Sequence, residues 1–190
     1  MAYTLDQFLS DCHAAIASDK GPGGREKVRQ NLEKLLKNED FVKTHCDALD
    51  YGVHELYRDK ELDFIVLSHV YEEGRQSPPH DHGHSWAVYG QARFHTDMTV
   101  WERKDDGTQD GFADIKIARR FRLDPAMAGT FEPGVIHQIN FPKGARFVRV
   151  TGTDLNTIET HRFDADQKKM FTNKGMSAGA AAQGAMRSAS

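Results

Sequence analysis

Residues 78–90 read PPHDHGHSWAVYG and residues 131–141 read FEPGVIHQINF. In the first stretch His80 and His82 are one residue apart, so on an extended segment both imidazoles point to one face. In the second, His137 follows Pro133 and Gly134 at the start of an apolar, strand-like run. A His from a distant strand can close a three-sided metal site with such a pair. His84 would be next on the same face of a regular strand, but Gly83 is expected to break the alternation. The reading is therefore His80, His82 and His137 as metal ligands, with Asp81 turned away and organising the turn.

The rest of the chain has the periodicity such a site requires. From Gly52 onward, HELYR, DFIVLSHVY, SWAVYG, ARFHTDMTVWE, DIKIARRFRL, IHQINF, ARFVRVTG and TIETHRF are separated by Gly, Pro, Asp and Asn clusters. About eight strand-like runs of this length suit a small antiparallel barrel or jelly roll. Before them the period is helical. Thr4 and Gln7 form a capping box, and Leu5, Phe8, Leu9, Cys12 and Ile16 recur along one helix, roughly 5–17. GPGG at 21–24 breaks that helix, and Val28, Leu32, Leu35 and Leu36 line a second. The organisation read from these patterns is a helical extension over 1–50, a barrel over 51–171 and a flexible Gly/Ala/Ser-rich tail over 172–190.

Composition narrows the function classes. The chain has 190 residues and a formal net charge of -3 with both signs dispersed, which argues against nucleic acid as a partner. No apolar run approaches the length of a membrane span, and the first twenty residues lack a basic start followed by an apolar core. Two cysteines, Cys12 and Cys46, fit reduced thiols better than a disulfide framework. These features lead to the expectation of a soluble, cytoplasmic protein, monomeric or homodimeric, acting on a small molecule.

The two histidine stretches, with Gly74 before the first and Gly90 after it, resemble the paired metal-binding motifs of cupins. The resemblance covers roughly residues 52–155 and implies a double-stranded β-helix with ligands at the barrel mouth. The carboxylate that cupins usually carry shortly after the second His is absent, with Trp86 and Ala87 in its place. Glu132 also stands where a Pro is usual. The three-imidazole set, the string HDHGHSW and the upstream LYRDKELDFIVL resemble the cysteine dioxygenase family of thiol-oxidising non-heme iron enzymes.

That resemblance implies Fe(II) and dioxygen, with a small organic acid, most plausibly a thiol, as substrate. The ligand types alone leave zinc, nickel and copper open. The resemblance further implies that Arg58, beside Tyr57, holds a substrate carboxylate through its planar fork. The His and Tyr that many thiol dioxygenases carry late in the barrel have no counterpart in RFVRVTGTDL, where Thr151 and Thr153 stand. Tyr89, Tyr71 and His95 are the candidate replacements in catalysis, and Trp86 is a candidate for shaping the substrate pocket. Two other readings stay open: a three-His cupin enzyme of different chemistry (carbon–carbon cleavage, isomerisation or hydrolysis), and a non-catalytic barrel that binds a metal or small ligand.

Overall fold

The computed structural model describes residues 2–174. The helical part comprises α1 (Leu5–Ser18), α2 (Pro22–Leu36), α3 (Glu39–Val42) and a π-helical turn over Lys43–Asp47. The capping box at the start of α1 is present: Thr4 accepts from the Gln7 backbone, and the Gln7 side chain accepts from Thr4 N–H. GPGG serves as the start of α2 as well as the end of α1. Pro22 takes the first helical position, where its missing N–H costs nothing, and the Asp19 carboxylate accepts from the Gly21 and Gly24 backbone N–H groups. A Cβ on Gly24 would lie 1.9 Å from the Asp19 carbonyl oxygen, so glycine is what permits this tight reversal.

Eleven strands follow: β1 (Gly52–Asp59), β2 (Phe64–Val70), β3 (Arg75–Gln76), β4 (Ala87–Arg93), β5 (Thr96–Arg103), β6 (Ile115–Leu123), β7 (Ala128–Phe131), β8 (Ile136–Phe141), β9 (Arg146–Thr151), β10 (Glu159–Asp164) and β11 (Lys169–Lys174). One antiparallel sheet has the order β1-β2-β9-β4-β7, a second β3-β8-β5-β6, and β10 and β11 form a hairpin. Two sheets whose strands alternate between them along the chain, preceded by helices, make the mainly β double-stranded β-helix read from the sequence.

The five-stranded sheet is covered on both faces, which is why every residue of β2 is buried. On one face Val66, Val88, Val148 and Val150 join Phe8, Val28, Leu32 and Leu36 in a core shared with the helices. On the other, Ala87, Tyr89 and Phe147 join Phe131, Phe141 and Met98 inside the barrel. Gly90 is where α2 comes closest to the sheet. A Cβ there would lie 2.6 Å from methyl carbons of both Leu32 and Leu36.

Several elements differ from expectation. ARFHTDMTVWE is two strands, because Phe94 adopts a left-handed φ of 60° that turns β4 into β5. The short strands β3 and β7 are additional. The barrel boundary at 171 also falls short: Thr172, Asn173 and Lys174 pair with His161, Thr160 and Glu159, so the hairpin's ladder holds them. The remainder of the expected tail, 175–190, lies outside the described residues. Among the described residues, no helix is long and apolar enough to cross a membrane, and Cys12 and Cys46 are buried free thiols.

Candidate metal centre

His80 is placed by backbone pairing on two sides. Its N–H donates to the His137 carbonyl at 2.9 Å, and His137 N–H donates back to His80 O at 2.8 Å. The next residue, Asp81, donates its N–H to His161 O on β10 at 3.0 Å. Gly83 then turns the chain with a φ of 56°, and a Cβ there would lie 2.1 Å from the Glu159 carbonyl oxygen. This turn ends the alternation and leaves His84 exposed. Asp81 points away from the neighbouring imidazoles, as its expected turn role requires. Its buried carboxylate accepts from Gly83 N–H at 2.9 Å, His161 N–H at 2.9 Å and His161 Nδ1 at 2.9 Å.

These constraints bring together His80, His82 and His137, whose candidate donor atoms all lie within 4.8 Å of one another. All three are buried. His80 Nδ1 donates to the Pro78 carbonyl at 3.0 Å, and His137 Nδ1 to that of Val135 at 3.1 Å. Such contacts fix the tautomer and leave each Nε2 lone pair free, the usual support for a metal-bound imidazole. His137 Nε2 is buried without a hydrogen-bond partner. A buried acceptor left in that state costs free energy unless something binds it.

The electrostatics favour the neutral, ligating form. Burial holds all three imidazoles below their ordinary value, His82 and His137 well below it. Repulsion between the rings and the positive charge of Arg149 act in the same direction on His82 and His137. Protons therefore compete weakly for these nitrogens. A buried set of three neutral nitrogens fits a first-row transition ion and suits magnesium or calcium poorly. The cluster can hold a metal ion, and its ligand types do not fix which one.

Of the other expected site residues, the structure brings Tyr89 to the triad. Its Oη is 3.3 Å from His82 Nε2, and its ring is 5.8 Å from that of His137. Phe131 packs beside both, its ring 4.4 Å from that of His137 and 5.5 Å from that of Tyr89. His95 is not in the site. It sits in the β4–β5 turn with Nε2 3.9 Å from an Asp97 carboxylate oxygen, five residues before Val100, the register partner of His137. At about 3.3 Å per strand residue it is far from the triad.

Trp86 packs in the core shared with the helices, on the opposite face of the sheet from Tyr89. Tyr57 packs on Phe64 and reaches Asp59 at 3.3 Å. Arg58 binds Glu55 at 2.7 Å and Asp154 at 3.1 Å. The fork expected to receive a substrate carboxylate is thus occupied by carboxylates of the protein itself. Thr151 contacts Ser85 Oγ at 3.2 Å, a buried hydroxyl pair.

Glu132 has a clear partner: it pairs with Arg25 of α2, tying the helical layer to the loop that precedes His137. The residue that sequence reasoning missed is Arg149, buried on β9. Its signal was present in RFVRVTG, where Phe147, Arg149 and Thr151 alternate with Val148 and Val150.

No family model matches the chain, and no curated protein matches it. Among solved structures, the cupin domain of Schizosaccharomyces pombe Cnp3 is similar at 15% identity and a TM-score of 0.42, over 57% of this chain and 66% of that one. KdgF from Halomonas sp. is similar at 12% identity and a TM-score of 0.41, over 55% of this chain and 88% of that one. The DMSP lyase DddQ from Ruegeria pomeroyi DSS-3 gives 13% identity and a TM-score of 0.40, over 57% of this chain and 49% of that one, about half its length. The strand order makes the described chain a double-stranded β-helix barrel, and His80, bridged to His137 on β8, and His82 in the loop that follows complete a candidate three-His metal centre.

Proposed function

We propose that this chain is a non-heme iron dioxygenase that converts a small organic acid bearing a thiol to the sulfinate. The observation that carries the reading is the composition of the centre: three buried neutral imidazoles, one with an unpartnered Nε2, and no carboxylate among the clustered groups. Neutral ligands leave a divalent ion its full formal charge, which favours an anionic ligand such as a thiolate. Bound iron would supply activation of dioxygen. In the overall reaction the thiolate sulfur gains both oxygen atoms of dioxygen and loses four electrons, matching the four that dioxygen accepts. No external reductant is required, and the thiol proton passes to solvent.

The protein's own contribution is placement and environment. His80 and His137 are locked by their carbonyl contacts, so the ligands are preorganised. Phe131 and Phe147 give the interior an apolar wall, and within it the Tyr89 hydroxyl is available to hydrogen-bond a substrate atom near His82. Holding both reactants at one centre would supply proximity and orientation.

The full-length protein loaded anaerobically with ferrous iron should consume one dioxygen per sulfinate formed when mixed with small thiols. Absence of oxygen uptake across cysteine, mercapto acids and neutral thiols would remove the dioxygenase reading.

A further inference from the structure

Arg149 on β9 carries a buried guanidinium. It is 7% exposed, its Nε has no hydrogen-bond partner, and no carboxylate among the described residues pairs with it. By contrast, Arg25, Arg29, Arg58, Arg93, Arg103 and Arg122 each meet at least one carboxylate. A guanidinium does not shed its proton to escape burial. An isolated one in the interior forfeits its hydration with nothing in return, so it is most stable when an anion joins it.

The register of the sheet gives its direction. Arg149 lies opposite Leu67 of β2 and opposite Tyr89 of β4, and residues directly opposite in an antiparallel pair share a face. Phe147, two residues earlier, belongs to the barrel interior with Tyr89 and Phe131, whereas Val148 and Val150 face the helices. Arg149 therefore projects into the barrel beside Tyr89, whose hydroxyl is 3.3 Å from His82 Nε2. Its charge is also felt at His80, His82 and His137, where it supplements the effect of burial.

We propose that Arg149 is the anion-recognition residue of the metal centre, receiving the carboxylate of a small substrate whose other end reaches the three histidines. The proposal rests on the metal-centre reading above and refines its substrate class: acids are taken, and neutral analogues of the same shape are rejected. The planar guanidinium suits a carboxylate through two parallel charge-assisted bonds, which an ammonium cannot reproduce. With Arg58 held by Glu55 and Asp154, Arg149 supplies the anchoring charge from a different strand.

The test is calorimetric titration of the full-length protein loaded with redox-inert zinc, using 3-mercaptopropionate and its amide, 3-mercaptopropionamide. The wild type should prefer the acid by about 10- to 100-fold, the range for a hydrogen-bonded charged group. Arg149→Lys should lose most of that preference and Arg149→Met all of it. A merely structural arginine would change the melting temperature of these variants without changing the acid-to-amide ratio. Equal affinity for acid and amide in the wild type, absence of binding by either, or an undiminished ratio in the lysine variant would overturn the proposal. The wild-type comparison holds even if a variant fails to fold. Loss of the acid preference with sulfinate still formed by the iron protein would remove Arg149 alone. An intact preference on zinc protein with no sulfinate from iron protein would remove the dioxygenase reading alone.

Discussion

Alanine at position 137 should strip the protein of its metal, lowering affinity for a first-row ion by at least about 100-fold. Loss of an outer partner of a ligand already costs roughly 10- to 100-fold, and His137 is expected to be a direct ligand. The backbone exchange that pairs it with His80 does not involve its side chain, so β8 can keep its position. The vacated space beside Phe131 should reduce stability by about 2 to 4 kcal/mol, in the range for large-to-small changes in a core. Metal content after dialysis, read by elemental analysis beside wild type and His84→Ala, checks this. The exposed His84 should be replaceable without loss of metal. Equal occupancy in the His137 variant would show that the ion sits elsewhere.

Acid should unfold the metal-free protein unusually steeply. His69, His80, His82 and His137 are buried, and burial holds each below its ordinary value. In the unfolded chain these groups titrate near about 6.5. Their folded values are the lower ones, so stability is full above the unfolded value and is lost as pH falls beneath it, because the unfolded state then binds protons the folded state refuses. While the pH lies between its unfolded and folded values each such histidine removes up to about 1.4 kcal/mol per pH unit, and the four together at most roughly 5.6. Against a typical domain stability of about 5 to 15 kcal/mol, that is enough to unfold the chain within a few units below neutrality.

His13 opposes the trend, since its bond to Asp59 raises its value, but it lies at the surface. Bound metal should delay unfolding, because it stabilises the neutral imidazoles of its ligands. Urea melts of metal-free and metal-loaded protein between pH 7.5 and 5 give the comparison. A flat profile for the metal-free form would mean that these histidines are accessible to protons in the fold.

The barrel was legible because β2, β4, β5, β8 and β9 carry long β-branched and aromatic runs, and the triad because HDH and PGVIH each place their histidines by local geometry. What escaped reading depended on contacts far apart in sequence. Strand β7 is AGTF, too short and too small-sided to stand out, and it exists through pairing with β4. Strand β11, KMFTNK, is largely polar and is held by β10. The β4–β5 turn centres on a left-handed Phe94, 57% exposed, a residue type that signals strand rather than turn.

The same limit governed the site. Arg149 interrupts an apolar strand, a pattern ordinarily read as a solvent-facing position. Here helices cover one face of the sheet and the barrel interior lies behind the other, so the charged position turns inward. Conversely, LYRD drew attention to Arg58, whose neighbours Glu55 and Asp154 lie three residues before it and on a remote loop.

The central claim, a three-His barrel that places both atoms of dioxygen on one sulfur, is tested most directly by isotope labelling. Full-length iron-loaded protein is allowed to turn over a mercapto acid under oxygen-18 gas, and the product is examined by mass spectrometry. The account predicts a sulfinate carrying two labelled oxygens from a single dioxygen molecule, and no such product from the His137→Ala variant. Unlabelled or singly labelled sulfinate, or only disulfide, would contradict it.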